Sequence, residues 1–412
     1  MNVFKPADIL LPQVEDMSKW AVIACDQFSS NPGYWQRVRE NANGAPSTIN
    51  LILPEAELGT PEEDAHTKLI NETMKRYREE NIFKSYGRSF IYVERTLTNG
   101  SVRKGLVGMV DLDAYDYSTG SVSAIRATEK TVVERIPPRM KVRRNASVEL
   151  PHILMLCDDH EKKLIEPIAA MKENLPVVYD FDLMEEGGHI TGWLVQGEAV
   201  EKFEAVLADY SAHVGEKYEG LPGVPMVFAV GDGNHSLATA KACYEELKAS
   251  APDQDFSCHP ARYALVELEN IHDEAQAFEP IHRVVFHVDV QKLLRDLETV
   301  CAPGGFPVTW FVGEQSGIIY LDKSRSELAV GALQSFLDEW LQENEGEVDY
   351  IHGEEDVRQL AKQESTIGFL LPAMEKSQLF RGVIADGILP RKTFSMGHAR
   401  EKRYYLEGRV IK

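Results

Sequence analysis

Cysteine is scarce in this chain: five residues (Cys25, Cys157, Cys243, Cys258 and Cys301) are scattered over 412 positions, and no two form a C-x-x-C pair. That pattern excludes a disulfide-stapled scaffold, argues against a structural zinc site, and leads us to expect reduced thiols in a cytoplasm. Long apolar runs are missing too, so no membrane span is expected. The opening residues, Met1-Asn2-Val3-Phe4-Lys5-Pro6-Ala7-Asp8, lack a basic head followed by an apolar stretch, and no signal peptide is expected. Positive charge is in deficit: 44 Lys and Arg stand against 65 Asp and Glu, a net charge of −21. A field of that sign repels nucleic acid and anionic membranes at long range. Internal repeats, low-complexity segments, a Walker A loop and a G-x-G-x-x-G fingerprint are likewise absent.

What is there is ordinary in bulk. Hydrophobic residues make up 43% and charged residues 26%, so a sizeable core is expected. A chain of 412 residues exceeds the size at which one core stops growing, and two domains are expected, over 1–300 and 301–412. Period-2 and period-3.6 patterns mix without strict alternation, which predicts an α+β or mixed α/β fold. Strands are expected over 20–25, 48–53, 152–157, 177–183, 191–196, 262–268, 281–288 and 367–371. Helices are expected over 34–41, 61–81, 161–174, 198–210, 290–300, 330–343 and 374–382. Two hairpins are expected, 90–95 with 102–111 and 308–312 with 317–321, the second following a turn at 302–307.

The most informative stretch is Gly231-Asp232-Gly233-Asn234-His235. It follows an apolar run at 225–230 and precedes a helical pattern at 236–247. A strand, a glycine-rich turn and a helix start in that order make an anion site, because the first N–H groups of a helix have no internal partner and the dipole adds positive potential. The two glycines would let the backbone approach a ligand. Asp232 would contribute an acid or a metal ligand, and His235 a titratable base. The plainer reading is a tight turn with Asn234 or Ser236 capping the helix.

Two basic islands interrupt the acidic background. Residues 126–144 hold seven cations (Arg126, Lys130, Arg135, Arg139, Lys141, Arg143, Arg144) against Glu129 and Glu134. Residues 391–412 hold seven more (Arg391, Lys392, Arg400, Lys402, Arg403, Arg409, Lys412) against Glu401 and Glu407. Local positive islands suit a small anionic ligand better than a long polyanion. Pro137-Pro138 in the first island is expected to end a helix and impose an extended path. Asp26 and Gln27 follow the first expected strand, His282 and Arg283 open another, and Lys392-Thr393-Phe394-Ser395 would return as a lid; all are candidate pocket residues. His152 is expected to pack structurally at a strand start.

Over nearly its whole length the chain resembles the bacterial domain-of-unknown-function family 1015. The residues that carry the resemblance are Phe4-Lys5-Pro6, Ile125-Arg126-Ala127-Thr128-Glu129-Lys130-Thr131, Arg135-Ile136-Pro137-Pro138-Arg139, the Asp-Gly-x-His turn, Phe278-Glu279-Pro280-Ile281-His282-Arg283 and Leu389-Pro390-Arg391-Lys392-Thr393-Phe394-Ser395-Met396-Gly397. The turn is similar to that of the ParB/sulfiredoxin-like superfamily, which holds nucleotide phosphates there and includes free-serine kinases with a glutamate base. The resemblance implies a ParB/sulfiredoxin-like core elaborated by extra strands and helices, with a smaller C-terminal α+β domain.

It also implies phosphoryl transfer to a small hydroxyl metabolite such as free serine or phosphoserine. The donor would be ADP, ATP or pyrophosphate, with Mg²⁺ on Asp232. In that reading Glu129, Asp232 and His235 are catalytic. Arg126, Lys130, Arg135, Arg139, Gly233, Asn234 and Ser236 bind phosphate. Ser236 stands where the superfamily has Arg, so the first island would supply the missing charge. Partners would be a phosphorylated metabolite or nucleotide, in a monomer or a homo-oligomer. Two alternatives stay open: a ParB-like nucleic-acid or nuclease module, which the negative charge opposes, and a non-catalytic nucleotide or phosphometabolite sensor.

Overall fold

A computed structural model describes residues 3–23, 28, 31–221, 225–390 and 392–412. The fold is mixed α/β. Its larger sheet has eleven strands, nine of them in the order Tyr115–Asp116, Ile125–Ala127, Phe228–Asp232, Leu154–Cys157, Tyr263–Asn270, Val102–Asp111, Phe83–Thr96, His189–Val195 and Val177–Asp182. Phe4–Lys5 adds to Val102–Asp111, and Ala7–Pro12 adds to Phe83–Thr96. Pairing is of both kinds: Phe228–Asp232 runs parallel to Ile125–Ala127 and antiparallel to Leu154–Cys157.

The second sheet is built from Gln315–Leu321, Cys301–Val312, Ile367–Leu370, Phe278–Phe286 and Glu347–His352. Phe394–Met396 pairs with the first residues of Phe278–Phe286. That strand precedes residue 300, and Arg409–Val410 returns to pair with Val148–Glu149, so the sheets do not part at residue 300. Leu154, Leu156 and Ala229 of the larger sheet share one apolar core with Val285, Leu333 and Phe369.

The hairpin expected at 98–101 forms, with Thr96 opposite Val102 and Gly100 at φ 84°. Other expectations need correction. Residues 20–23 form no strand, only an isolated bridge from Val22 to Tyr405, and 24–25 lie outside the described residues. Thr48–Asn50 is a 3-10 turn, not a strand. Side-chain bonds stand in for ladder bonds here: Thr48 Oγ1 donates to the Trp20 carbonyl at 3.0 Å and accepts from Val22 N–H at 3.1 Å. The helix expected at 161–174 is confined to Glu166–Ala170. Residues 302–307 are not a turn but part of Cys301–Val312, bulged between Cys301 and Phe306 with Gly304 at φ 74°. Pro137 and Pro138 open the helix Ile136–Asn145 instead of ending one, because proline has no N–H to lose in a first turn.

Candidate functional site

The site is built where Phe228–Asp232 ends. Gly233 turns the chain with φ 81° and ψ 24°, and the helix Asn234–Ser250 starts immediately. A side chain at 233 would face strain from the left-handed backbone and would put Cβ 3.0 Å from Ile153 Cα. Glycine at the cap position also carries nothing to cap with, so no side-chain bond closes the helix start. Asn234 is no cap either: its Oδ1 is buried with no hydrogen-bond partner. The uncapped first turn therefore keeps its anion-binding character. Gly231 serves packing instead of ligand approach, since a Cβ there would meet Met396 Sδ at 2.6 Å and Leu156 Cδ1 at 2.8 Å.

The neighbouring strand Ile125–Ala127 delivers the first basic island to the same place. Thr128 Oγ1 donates to the Val230 carbonyl at 2.6 Å, and its own carbonyl accepts from Leu389 N–H at 2.9 Å. Val132 N–H donates to His235 Nε2 at 3.2 Å. His235 is therefore an acceptor at Nε2, with its ring proton on Nδ1, and Nε2 is not a donor to a phosphate oxygen. Glu129, Lys130, Arg135 and Arg139 line the resulting cleft beside Asp232–Ser236.

Asp232 accepts from Gly233 N–H at 2.9 Å through Oδ1 and faces Lys402 Nζ at 3.2 Å through Oδ2. Burial pushes its carboxyl up, but the Lys402 ammonium and the Gly233 N–H outweigh that and hold it below the usual aspartate range. His152 sits nearby with its ring 4.9 Å from that of Tyr405, and burial pushes its imidazole down to about 4, so it stays neutral. Among the described residues no three His, Cys, Asp or Glu side chains group as metal ligands. Each oxygen of Asp232 already has one partner, the Gly233 N–H and the Lys402 ammonium.

The third wall comes from the C-terminal stretch. Lys392, Phe394, Ser395, Met396 and Lys402 line the cleft together with Ile281 and His352. Lys392 has φ 54°, an unusual backbone for lysine, and its carbonyl accepts from Arg283 at 2.9 Å. Arg283 is wholly buried, donates to Gln334 Oε1 at 2.8 Å, and stacks 4.7 Å from the Tyr350 ring. Burial pulls its guanidinium down to about 10. Arg283 is not among the residues lining the cleft, but it holds the carbonyl of Lys392, which is.

The structure thus brings Glu129, Lys130, Arg135, Arg139, Asp232, Gly233, Asn234, His235, Ser236 and Lys392 together around a cavity of about 160 Å³. Others fall elsewhere. Arg126 is buried in its strand, donating to the Ser123 carbonyl at 2.9 Å, and does not line the cleft. His282 is buried and accepts from Leu371 N–H at 3.1 Å. Asp26, Gln27 and Arg391 lie outside the described residues. Sequence reasoning missed His152, Lys402 and His352 as lining residues. The second basic island was the signal for Lys402; nothing local marks either histidine.

The cleft thus sets an uncapped helix start, at the end of a strand in a mixed sheet, beside Lys130, Arg135, Arg139, Lys392 and Lys402, with Glu129 and Asp232 among them. The chain belongs to the family described as "Protein of unknown function (DUF1015)", which it matches over residues 4–387. No curated protein matches it. Among solved structures it is similar to a free serine kinase in complex with AMP, at TM-score 0.38 and 12% identity over 74% of this chain and 91% of that one. A mutant of that kinase in complex with ADP gives the same values. SbnI with a C-terminal truncation, from Staphylococcus aureus, follows at TM-score 0.36 and 11% identity over 70% and 81%. A conserved hypothetical protein from Pyrococcus furiosus gives TM-score 0.33 and 13% identity over 72% and 90%.

Proposed function

We propose that this chain is a phosphate-handling enzyme, a phosphotransferase acting on the hydroxyl of a small metabolite, with free serine or phosphoserine as the first candidate. The observation that carries the reading is the convergence of an uncapped helix start and the side chains of Lys130, Arg135, Arg139 and Lys392 on one cleft, in a protein of net charge −21. A ParB/sulfiredoxin-like core and a cytoplasmic setting belong to the same proposal; the described cysteines 157, 243, 258 and 301 are all free thiols.

Phosphoryl transfer is mainly positioning and charge neutralisation. The N–H groups of residues 234–236 would receive phosphate oxygens, and Arg135 and Arg139 would clamp them with paired donors. Glu129 takes the proton from the attacking hydroxyl. A new O–P bond forms as the donor's P–O bond breaks, and the donor departs with the bonding electrons. Arg139 lines the cleft beside Ser236 and supplies charge where the superfamily has its arginine. Asp232 anchors Lys402 and orients the acceptor. The donor is ADP, ATP or pyrophosphate, and Mg²⁺ would be carried by the donor's own phosphates.

The test is a thermal-shift screen with ADP, ATP, pyrophosphate, phosphoserine and serine, with and without Mg²⁺, followed by turnover assays on Asp232→Asn. A ligand that binds only the folded state raises Tm by mass action. A phosphate-bearing ligand is expected to raise it, and the variant is expected to fold but lose transfer. No shift with any phosphate, or full turnover in Asp232→Asn, overturns the reading.

A further inference from the structure

Behind the phosphate cleft lies a second cavity, also of about 160 Å³, between the helix Ile136–Asn145, the first turns of Asn234–Ser250 and residues 51–53. Its lining is mostly aliphatic, with Ile52, Met74, Val142, Ala146, Leu150 and Ala240 among it. His152, Arg139 and Ser236 line both spaces, so the two adjoin near the start of the helix Asn234–Ser250. The charged pair in the inner chamber is already matched: Arg143 meets Glu149 at 2.6 Å, and Glu149 also meets Arg409 at 2.7 Å.

We infer that this chamber holds the hydrocarbon body of the ligand whose phosphate or hydroxyl sits in the cleft, so that the substrate is an apolar alcohol or its phosphate ester and not a compact amino acid. The inference rests on the phosphate reading above and replaces its first candidate, free serine or phosphoserine, with a substrate that carries a hydrocarbon body. Two observations support it. The first is size: an apolar cavity of about 150 Å³ accommodates a benzene-sized body. The second is chemistry: aliphatic walls give water few polar partners, so filling them with hydrocarbon is favourable.

The experiment is calorimetric titration of the full chain with inorganic phosphate, phosphoserine, AMP, and ethyl, butyl and hexyl phosphate. Burying hydrocarbon predicts an affinity gain of about fourfold per methylene. Val142 lines the chamber from a partly exposed position away from the phosphate, so Val142→Trp is expected to fill it. In that variant the chain-length gain disappears while inorganic phosphate binds as before. Ala240→Leu, from the helix Asn234–Ser250, provides the same test should Val142→Trp fail to fold. Inorganic phosphate binding with no gain along the alkyl series overturns this inference alone. So does a gain confined to AMP, which would assign the chamber to a nucleobase. No binding of any phosphate overturns the phosphate reading as well.

Discussion

Lys402 places its ammonium 3.2 Å from Oδ2 of Asp232, tying the C-terminal stretch of the chain to the turn that opens the helix Asn234–Ser250. Both side chains are largely shielded, at 12% and 27% exposure. A charge-assisted bond of this kind contributes about 1.5–3 kcal/mol. Its pH dependence has a definite sign. The Asp232 carboxyl titrates below its ordinary value of 3.8 in the fold, so the pair's stabilisation is present above that value and fades as pH falls through the native one. Wild type should therefore exceed Asp232→Asn in urea midpoint at neutral pH, and the gap should close on acidification. Lys402→Met should shrink the same gap at neutral pH. A gap that widens toward acid would contradict the assignment.

Gly233→Ala should be costly for two reasons that add. The backbone at φ 81° disfavours a side chain, and the new Cβ would press on Ile153 Cα at 3.0 Å. A loss of about 1–2 kcal/mol is expected. Because the helix start would shift, phosphate affinity should fall by about tenfold, equivalent to about 1.4 kcal/mol. Thermal melts and phosphate titration of the same preparation measure both.

His235→Ala removes the acceptor of the Val132 N–H. An N–H deprived of its partner in a partly buried position costs about 1–3 kcal/mol. The loop that carries Lys130 and Arg135 should loosen with it, seen as faster amide exchange over residues 128–135. Exchange confined to the helix start would instead mean that His235 holds only its own turn.

Arg403→Met should be the most damaging single change among these. Arg403 is buried, with Nε 2.7 Å from Glu267 and a second arm on Glu407, which is itself bonded to Tyr179 at 2.6 Å. Removing the cation leaves two buried carboxylates without their counter-charge, a loss of about 3–5 kcal/mol. Adding Glu267→Gln should recover part of it. Urea denaturation of the single and double variants decides the point.

Much of the larger sheet was legible because its strands alternate or run apolar, as in 102–111 and 263–270, and tertiary packing agrees with local preference. Over its described part, 20–23, the strand expected at 20–25 does not form, and the contacts there are nonlocal: Trp20 Nε1 donates to the Leu406 carbonyl, a partner no local pattern shows. The cleft was legible where chemistry is written locally, in Asp232–Ser236 and the first basic island. Arg126 and Arg135 look alike in sequence, yet one is buried in the strand Ile125–Ala127 and the other lines the cleft. Only the parallel pairing of Ile125–Ala127 with Phe228–Asp232 separates them. Lys402 and His352 were hidden because the second sheet and the C-terminal stretch return from far along the chain.

That late return has a consequence for how the protein is made. Synthesis proceeds from the N-terminus, and segments begin to fold in that order. Phe228–Asp232 and the helix after it therefore emerge while Lys392 and Lys402 are still to be added. Until they arrive, Asp232 has no ammonium opposite it and one wall of the cleft is missing. A nascent chain halted before residue 392 would lack that wall, so binding of the proposed anionic ligand would report that translation has passed that point.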